Sequence, residues 1–193
     1  MARQKEFNRD EVLTKAMETF WRKGYEATSI QDLVESTGLN RGSLYGTFHD
    51  KRSLFEMALN RYEDTIVRRA IARLEVPNAS KGAIVEHFHE AIESAIADSQ
   101  RRGCLLINSA IELCPHDTQL AAKIAAKLQR IEQAYYHALS NAVEKGEIRG
   151  DRDLHQLASF LVNTLQGLRV VSKVKPDRRE LQAIVAIALS VLD

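Results

Sequence analysis

Residues Thr28 to Leu54 read TSIQDLVESTGLNRGSLYGTFHDKRSL, with three helix signals packed one after another. Thr28 or Ser29 can N-cap a short helix carrying Ile30, Leu33 and Val34 on one face, and Gly38 stands where a glycine ends it. Asn40 opens a second short helix whose apolar residues, Leu44 and Phe48, share a face, and Asp50 caps a third that begins Lys51-Arg52-Ser53-Leu54. Two short helices joined by about three residues that include a glycine form a helix-turn-helix, whose second helix enters the major groove of DNA. With Leu44 and Phe48 turned to a core, Asn40, Arg41, Ser43, Tyr45 and Thr47 are left for other directions. Arg41, in the first turn, can reach base edges, where a guanidinium reads guanine O6 and N7 in bidentate fashion. The hydroxyls of Ser43, Tyr45 and Thr47 suit phosphate oxygens, and Lys51 stands at a helix start, a place that itself attracts anions. On spacing alone, the competing reading is a helical hairpin with solvated polar residues.

The run Thr28…Ile30…Leu33…Gly38-Leu39-Asn40-Arg41-Gly42-Ser43-Leu44-Tyr45…Phe48…Lys51…Leu54, preceded by Phe20…Gly24-Tyr25, resembles the DNA-binding signature of the TetR family of bacterial transcriptional regulators. The likeness covers roughly the first 55 residues and fades downstream. It implies an all-α chain of about nine helices: a three-helix head over residues 1–54, and a long helix leading into a helical ligand-binding and dimerisation domain over residues 55–193. By function it implies a DNA-binding regulator without enzymatic activity or cofactor, a homodimeric repressor released from a palindromic double-stranded operator by a small-molecule inducer. The DNA-binding positions carried over are Thr28, Ser29, Gln31, Asn40, Arg41, Gly42, Ser43, Tyr45, Thr47 and Lys51. One departure is Gly46-Thr47, where many members carry an aromatic residue and then histidine or tyrosine. Gly46 weakens an isolated helix by about 1 kcal/mol relative to alanine, and Thr47 is a shorter reach toward phosphate.

Composition bounds the remainder. A chain of 193 residues, 45% hydrophobic and with three prolines, has the length for a buried core and favours helix. The net charge is +1, and the first 52 residues hold nine Lys/Arg against eight Asp/Glu, so DNA binding has to rest on a local charge pattern. The N-terminus, MARQKEFNRDE, lacks the apolar region of a secretory signal, no stretch has the length of a membrane span, and two cysteines give no disulfide framework. A cytoplasmic protein with no membrane partner is expected. No Gly-rich phosphate loop, HExxH, nucleophile elbow or convincing carboxylate pair is present, which disfavours an enzyme. A helical adaptor that binds no DNA is the remaining alternative class.

In chain order, Met1 to Phe7 is a charged arm, and Arg3, Lys5 and Arg9 either reach a minor groove or are solvated. A first helix, opened by Asn8, places Val12, Leu13, Ala16, Met17, Phe20 and Trp21 at helical spacing and stops at Gly24. The helix capped by Asp50 continues through Phe55, Leu59, Tyr62, Ile66 and Ile71 toward Pro77, with the domain boundary inside it. Further helices are expected over Lys81 to Gln100, Cys104 to Leu113, from Asp117 to Gly146, from Asp151 or Asp153 to about Val171, and from Asp177 to Leu192. Residues 183–192 read AIVAIALSVL, apolar almost all round, so they need burial on more than one side. Packing this helix and its predecessor against a two-fold mate would supply that burial through Phe160, Leu161, Leu165, Leu168, Ile184, Ile187 and Val191; burial within one chain is the alternative.

The segment Gly103-Cys104…Glu112-Leu113-Cys114 is similar to a subset of TetR-like regulators, some of which sense electrophiles or oxidants through the thiol at this helix start. Cys104 beside Arg101 and Arg102 at a helix N-terminus fits a reactive thiolate; the alternative is a small, apolar cysteine packed in the core. The ligand or sensor residues expected are Cys104, Asn108, Glu112 and Tyr136. Metal sensing through Cys104, Cys114, His116, His87 and His89 is a third reading, weakened because His87 and His89 point to different faces of a helix.

Overall fold

The computed structural model describes residues 7–193, so Arg3 and Lys5 of the expected arm lie outside the described residues. The described residues divide into two compact units, with the boundary between Thr65 and Ile66. All regular structure among the described residues is helical.

In the first unit α1 (Arg9–Lys23) packs against α2 (Ile30–Thr37) and α4 (Lys51–Tyr62), and α3 (Arg41–Phe48) against α2 and α4. Each start has a side-chain cap that satisfies otherwise orphaned N–H groups: Asn8, Ser29, Asn40 and Asp50. Ser29, not Thr28, caps α2, in a reciprocal capping box with Asp32. Gly38 ends α2 at φ +74°, a left-handed turn that a side chain would strain. Phe20 meets Phe55 edge-on at 5.1 Å and Trp21 meets Tyr62 at 4.9 Å, so α1 is the floor on which the unit is built. Arg9 is no part of an arm; it is the first residue of α1, and its guanidinium lies over the Phe48 ring.

The helix after Asp50 departs from a uniform α-helix. Between α4 and α5 (Arg68–Ile71) the chain winds as a π segment, Glu63–Val67. The buried positions run Leu54, Phe55, Ala58, Leu59, Tyr62, then Val67 and Ile71. The wider π turn carries one extra residue past the inward phase, so Val67 is buried where Ile66 was expected, and Ile66 is half-buried. Counting this run as one, there are nine helices among the described residues.

In the second unit α6 (Lys81–Ala97), α8 (Thr118–Glu144) and α9 (Leu154–Val171) pack together, α7 (Leu105–Leu113) lies on α8, and α10 (Arg178–Leu189) on α6 and α9. Asp117, Asp153 and Asp177 cap α8, α9 and α10. Gly103 precedes α7 at φ +67°, and a Cβ there would stand 2.9 Å from the Lys173 side chain and 3.1 Å from the Arg169 carbonyl, so only glycine lets this turn approach α9.

The seven residues expected to meet a second copy divide. Leu161, Leu165 and Leu168 are buried within this unit, a correction with a simple cause: α9 carries apolar residues on more than one face, and its leucine face is taken up by its own chain. Phe160, Ile184 and Ile187 are 44, 42 and 74% exposed, and Val191 is half-buried.

Candidate nucleic-acid interface and effector core

On α3, Leu44 and Phe48 are buried, which fixes the orientation of the other six residues. At 100° per residue, the direction opposite that pair belongs to Gly42 and Gly46, both exposed. Arg41 and Tyr45 flank them on one side, Ser43 and Thr47 on the other. The outward ridge of this helix is therefore bare backbone between two polar rails.

The polar atoms on those rails differ in how free they are. The Arg41 guanidinium lies 5.7 Å over the Tyr45 ring, an exposed cation–π pair that costs little to open. Asn40 accepts from the Ser43 N–H at 2.8 Å, so its carbonyl is committed to the cap while its amide N–H groups point elsewhere. The Thr47 hydroxyl donates back to the Ser43 carbonyl at 2.8 Å. Lys51 sits 4.3 Å over the Tyr25 ring, held against the turn before α2.

At the start of α2, Gln31 is exposed and donates to Glu35 at 2.8 Å, and the Ser29 hydroxyl belongs to the capping box. Thr28 is corrected: its side chain is fully buried and its hydroxyl donates to the Gly24 carbonyl at 2.5 Å, so it braces the turn and presents nothing to a ligand. The Asp32 carboxyl is held well below the usual carboxylate range, first by the Lys23 ammonium and then by the Ser29 N–H and hydroxyl.

In the second unit, Cys104 occupies the N-cap of α7 and is only 2% exposed. The two cations expected beside it are spoken for or turned outward: Arg102 pairs with Asp98 at 3.2 Å, and Arg101 is exposed at φ +52°. Asn108 donates to the Arg102 carbonyl at 2.8 Å and accepts from Lys173 at 3.1 Å, which ties α7 to the end of α9. Glu112 follows two turns after Cys104 on the same helix side, half-buried. Tyr136 does not join them. It stacks on His155 at 4.2 Å, at the start of α9, about 27 Å of helix away from the end that Asn108 touches.

A different cluster lies deeper. His87 on α6, 2% exposed, and Tyr135 on α8, fully buried, meet through His87 Nδ1 and the phenol oxygen at 2.9 Å. Burial, and then the Arg169 charge, push the imidazole down to about 4, while burial raises the Tyr135 phenol. Both are neutral near pH 7. His87 Nε2 and both polar atoms of the Gln166 side chain are buried without a hydrogen-bond partner. Gln166 is 7% exposed, in phase with the buried Val162 one turn earlier and one turn before Arg169. The sequence held a signal for it, a glutamine at an inward phase of an apolar helix. His89 is exposed, so the two histidines diverge, and no group of three or more His, Cys, Asp or Glu suited to a metal occurs among the described residues.

Comparison with known proteins agrees with this geometry. The family model for bacterial regulatory proteins, tetR family, matches residues 12–58, and that for a tetracyclin repressor-like C-terminal domain matches residues 82–188. The uncharacterized HTH-type transcriptional regulator YezE of Bacillus subtilis is 41% identical, with 100% of each chain covered. The HTH-type transcriptional repressor ComR of Escherichia coli is 32% identical over 97% of this chain and 90% of that protein. Among solved structures, a cysteine mutant of the TetR family transcriptional regulator CifR, complexed with 26-bp double-strand operator DNA, superposes with a TM-score of 0.88 at 28% identity, covering 99% of this chain and 100% of the other.

Proposed function

The chain belongs to the TetR family of bacterial regulators, and we propose that this DNA-binding transcriptional regulator is a homodimeric repressor released from a palindromic operator by a small molecule. It is not an enzyme. The observation that carries the DNA-reading half is the outward side of α3, where Gly42 and Gly46 leave the backbone bare between Arg41–Tyr45 and Ser43–Thr47. A helix so shaped can sink into a major groove with Arg41 at base edges and the hydroxyls and Lys51 at phosphates. Ser29 and Asn40, which cap α2 and α3, and the exposed Gln31 are assigned to the rim of that surface. The likeness to a regulator solved on operator DNA, and to relatives named as repressors, supports the sign of regulation.

Dimerisation is assigned to the exposed apolar seam on α9 and α10. Phe160, Gly167, Val170, Val171 and Val174 recur at steps that keep one side of α9 and its continuation, and Ile184 and Ile187 do so on α10. Two such seams related by a two-fold axis give the symmetry that half-sites about 34–36 Å apart require. An effector that binds one conformation of the second unit better than another shifts the population between them. The π segment Glu63–Val67, where the chain crosses from one unit to the next, is the natural place for that shift to turn the helix face.

Thiol sensing through Cys104 has less support than a reversible ligand, because the sulfur is buried and Arg102 is already paired. A protein that works on the chromosome belongs in the cytoplasm; separately, no helix among the described residues is long and apolar enough to cross a membrane. Fluorescence anisotropy tests the proposal. The DNA upstream of the protein's own gene should bind far more tightly than a scrambled duplex of equal length at the same salt; equal binding of the two would refute it.

A further inference from the structure

His87, Tyr135 and Gln166 place polar side chains inside the largely apolar second unit. Native cores rarely leave buried polar groups unpaired, because each then carries the full cost of its lost hydration. Here two side chains in one core do so. They sit on α6 and α9, which pack together, and Arg169, one turn after Gln166, is near enough to act electrostatically on both His87 and Tyr135. An unpaired amide and an unpaired imidazole nitrogen in one interior are what a polar ligand would leave exposed when it departs.

The hydrogen-bond inventory fixes the polarity of each position. Among the described residues, the Tyr135 hydroxyl has one hydrogen-bond partner, His87 Nδ1 at 2.9 Å. If the phenol donates to Nδ1, that bond satisfies its proton, and the imidazole hydrogen resides on Nε2. The opposite tautomer would strand the phenol proton as well as Nε2. The first arrangement leaves one orphan, so Nε2–H is a donor awaiting an acceptor. The Gln166 amide offers a second donor and an acceptor side by side. The charged neighbour, Arg169, is half-buried and has an interaction of its own. Phe88 packs edge-on against Tyr135 at 6.2 Å, an apolar wall on that side of the phenol. The orphaned groups themselves are neutral, so an ion seated on them would lose its hydration without a counter-charge among them.

We propose that the core between α6, α8 and α9 binds an uncharged, largely apolar small molecule that carries a carbonyl oxygen and an adjacent N–H or O–H, the oxygen accepting from His87 Nε2 and the neighbouring pair meeting the Gln166 amide. This deepens the reading of a ligand-released regulator and rests on it only for the consequence of binding, not for the binding itself.

The test uses the full-length protein and ε-caprolactam, a neutral cyclic amide, with cyclohexanecarboxylate as an anion of similar size. In 15N NMR spectra, caprolactam should shift both the His87 Nε2 and the Gln166 side-chain amide resonances, and the carboxylate should shift neither. Gln166→Leu, close in volume and lacking the orphaned amide, should fold with an unchanged or raised melting temperature and bind caprolactam at least tenfold more weakly. His87→Phe should lose the caprolactam response at Gln166. Silence of both resonances, an equal response to the carboxylate, or undiminished binding by Gln166→Leu would overturn the assignment. So would a marked fall in the melting temperature of Gln166→Leu, which would show the amide to be satisfied within the protein. Operator binding of the unliganded variants, read by gel shift, separates the two claims. Caprolactam binding by a protein that retains no DNA would sink the regulator and leave this site standing; specific DNA binding with no probe response would do the reverse.

Discussion

Replacing Gly46 by alanine separates stability from recognition. Gly46 lies inside α3, is exposed, and a Cβ built on it meets nothing within 4 Å. In the free protein the change relieves the entropy that glycine loses in a helix, a gain of about 0.5–1 kcal/mol. For a chain of this size that gain raises the melting temperature by roughly 1–4 °C. In the complex the sign reverses. Gly46 shares with Gly42 the direction opposite the buried Leu44 and Phe48, so an added methyl enters the space between helix backbone and base edges. Forcing a methyl into a close contact costs about 1–3 kcal/mol, or roughly 5- to 150-fold in affinity. Thermal melts followed by circular dichroism and operator titrations followed by anisotropy measure the two effects on one preparation. Gly82→Ala, likewise exposed and unobstructed at the start of α6, is the control and should leave operator affinity unchanged. A Gly46→Ala protein that melts higher and still binds the operator as tightly as the parent would show that this side of α3 does not face DNA.

Ile187→Glu should dissociate the dimer: burying an isoleucine is worth about 1.5–3 kcal/mol, it occurs twice by symmetry, and sedimentation should show a weakening on the order of a hundredfold or more, whereas a folded, undiminished dimer would remove α10 from the interface. Asp32→Asn should destabilise the first unit near neutral pH. Because the folded carboxyl of Asp32 is held below its unfolded value of about 3.9, that difference is present above about pH 4 and shrinks as the pH falls below it, which acid titration of both proteins by circular dichroism checks. Alkylation of the native protein with iodoacetamide should mark the half-buried Cys114 before the buried Cys104, and mass spectrometry showing the reverse order would reopen thiol sensing.

What the sequence made legible is local. Ser29, Gly38, Asn40, Asp50, Asp117 and Asp177 announce helix ends because a cap needs only its own next few residues, and the structure uses each of them so. Thr28 and Ser29 could not be told apart, since both can cap and only the packing of the preceding turn draws the Thr28 hydroxyl inward. The slip from Ile66 to Val67 escaped a reading that assumed one period, because a π turn is a change of period within a continuous helix. Leu161, Leu165 and Leu168 were apolar residues with two conceivable neighbours, and apolarity does not name which one covers them. The pairing of His87 with Tyr135 joins residues 48 apart, a relation that no local pattern encodes. Gln166 is a polar residue at an inward phase of an apolar helix, and only the packed structure shows its amide to be buried without a partner.

Arg41 against a single guanine atom tests most directly whether α3 reads the operator. Guanines of one half-site are replaced in turn by 7-deazaguanine, which removes the N7 acceptor and leaves Watson–Crick pairing intact. One such position should weaken the parent protein about tenfold, toward the lower part of the 1–3 kcal/mol that a bidentate contact supplies. Arg41→Ala should be weakened on the natural operator and lose nothing further at that same position. A parent protein indifferent to every substitution, or an Arg41→Ala protein that still loses affinity at the sensitive guanine, would contradict the placement of Arg41 at the base edge.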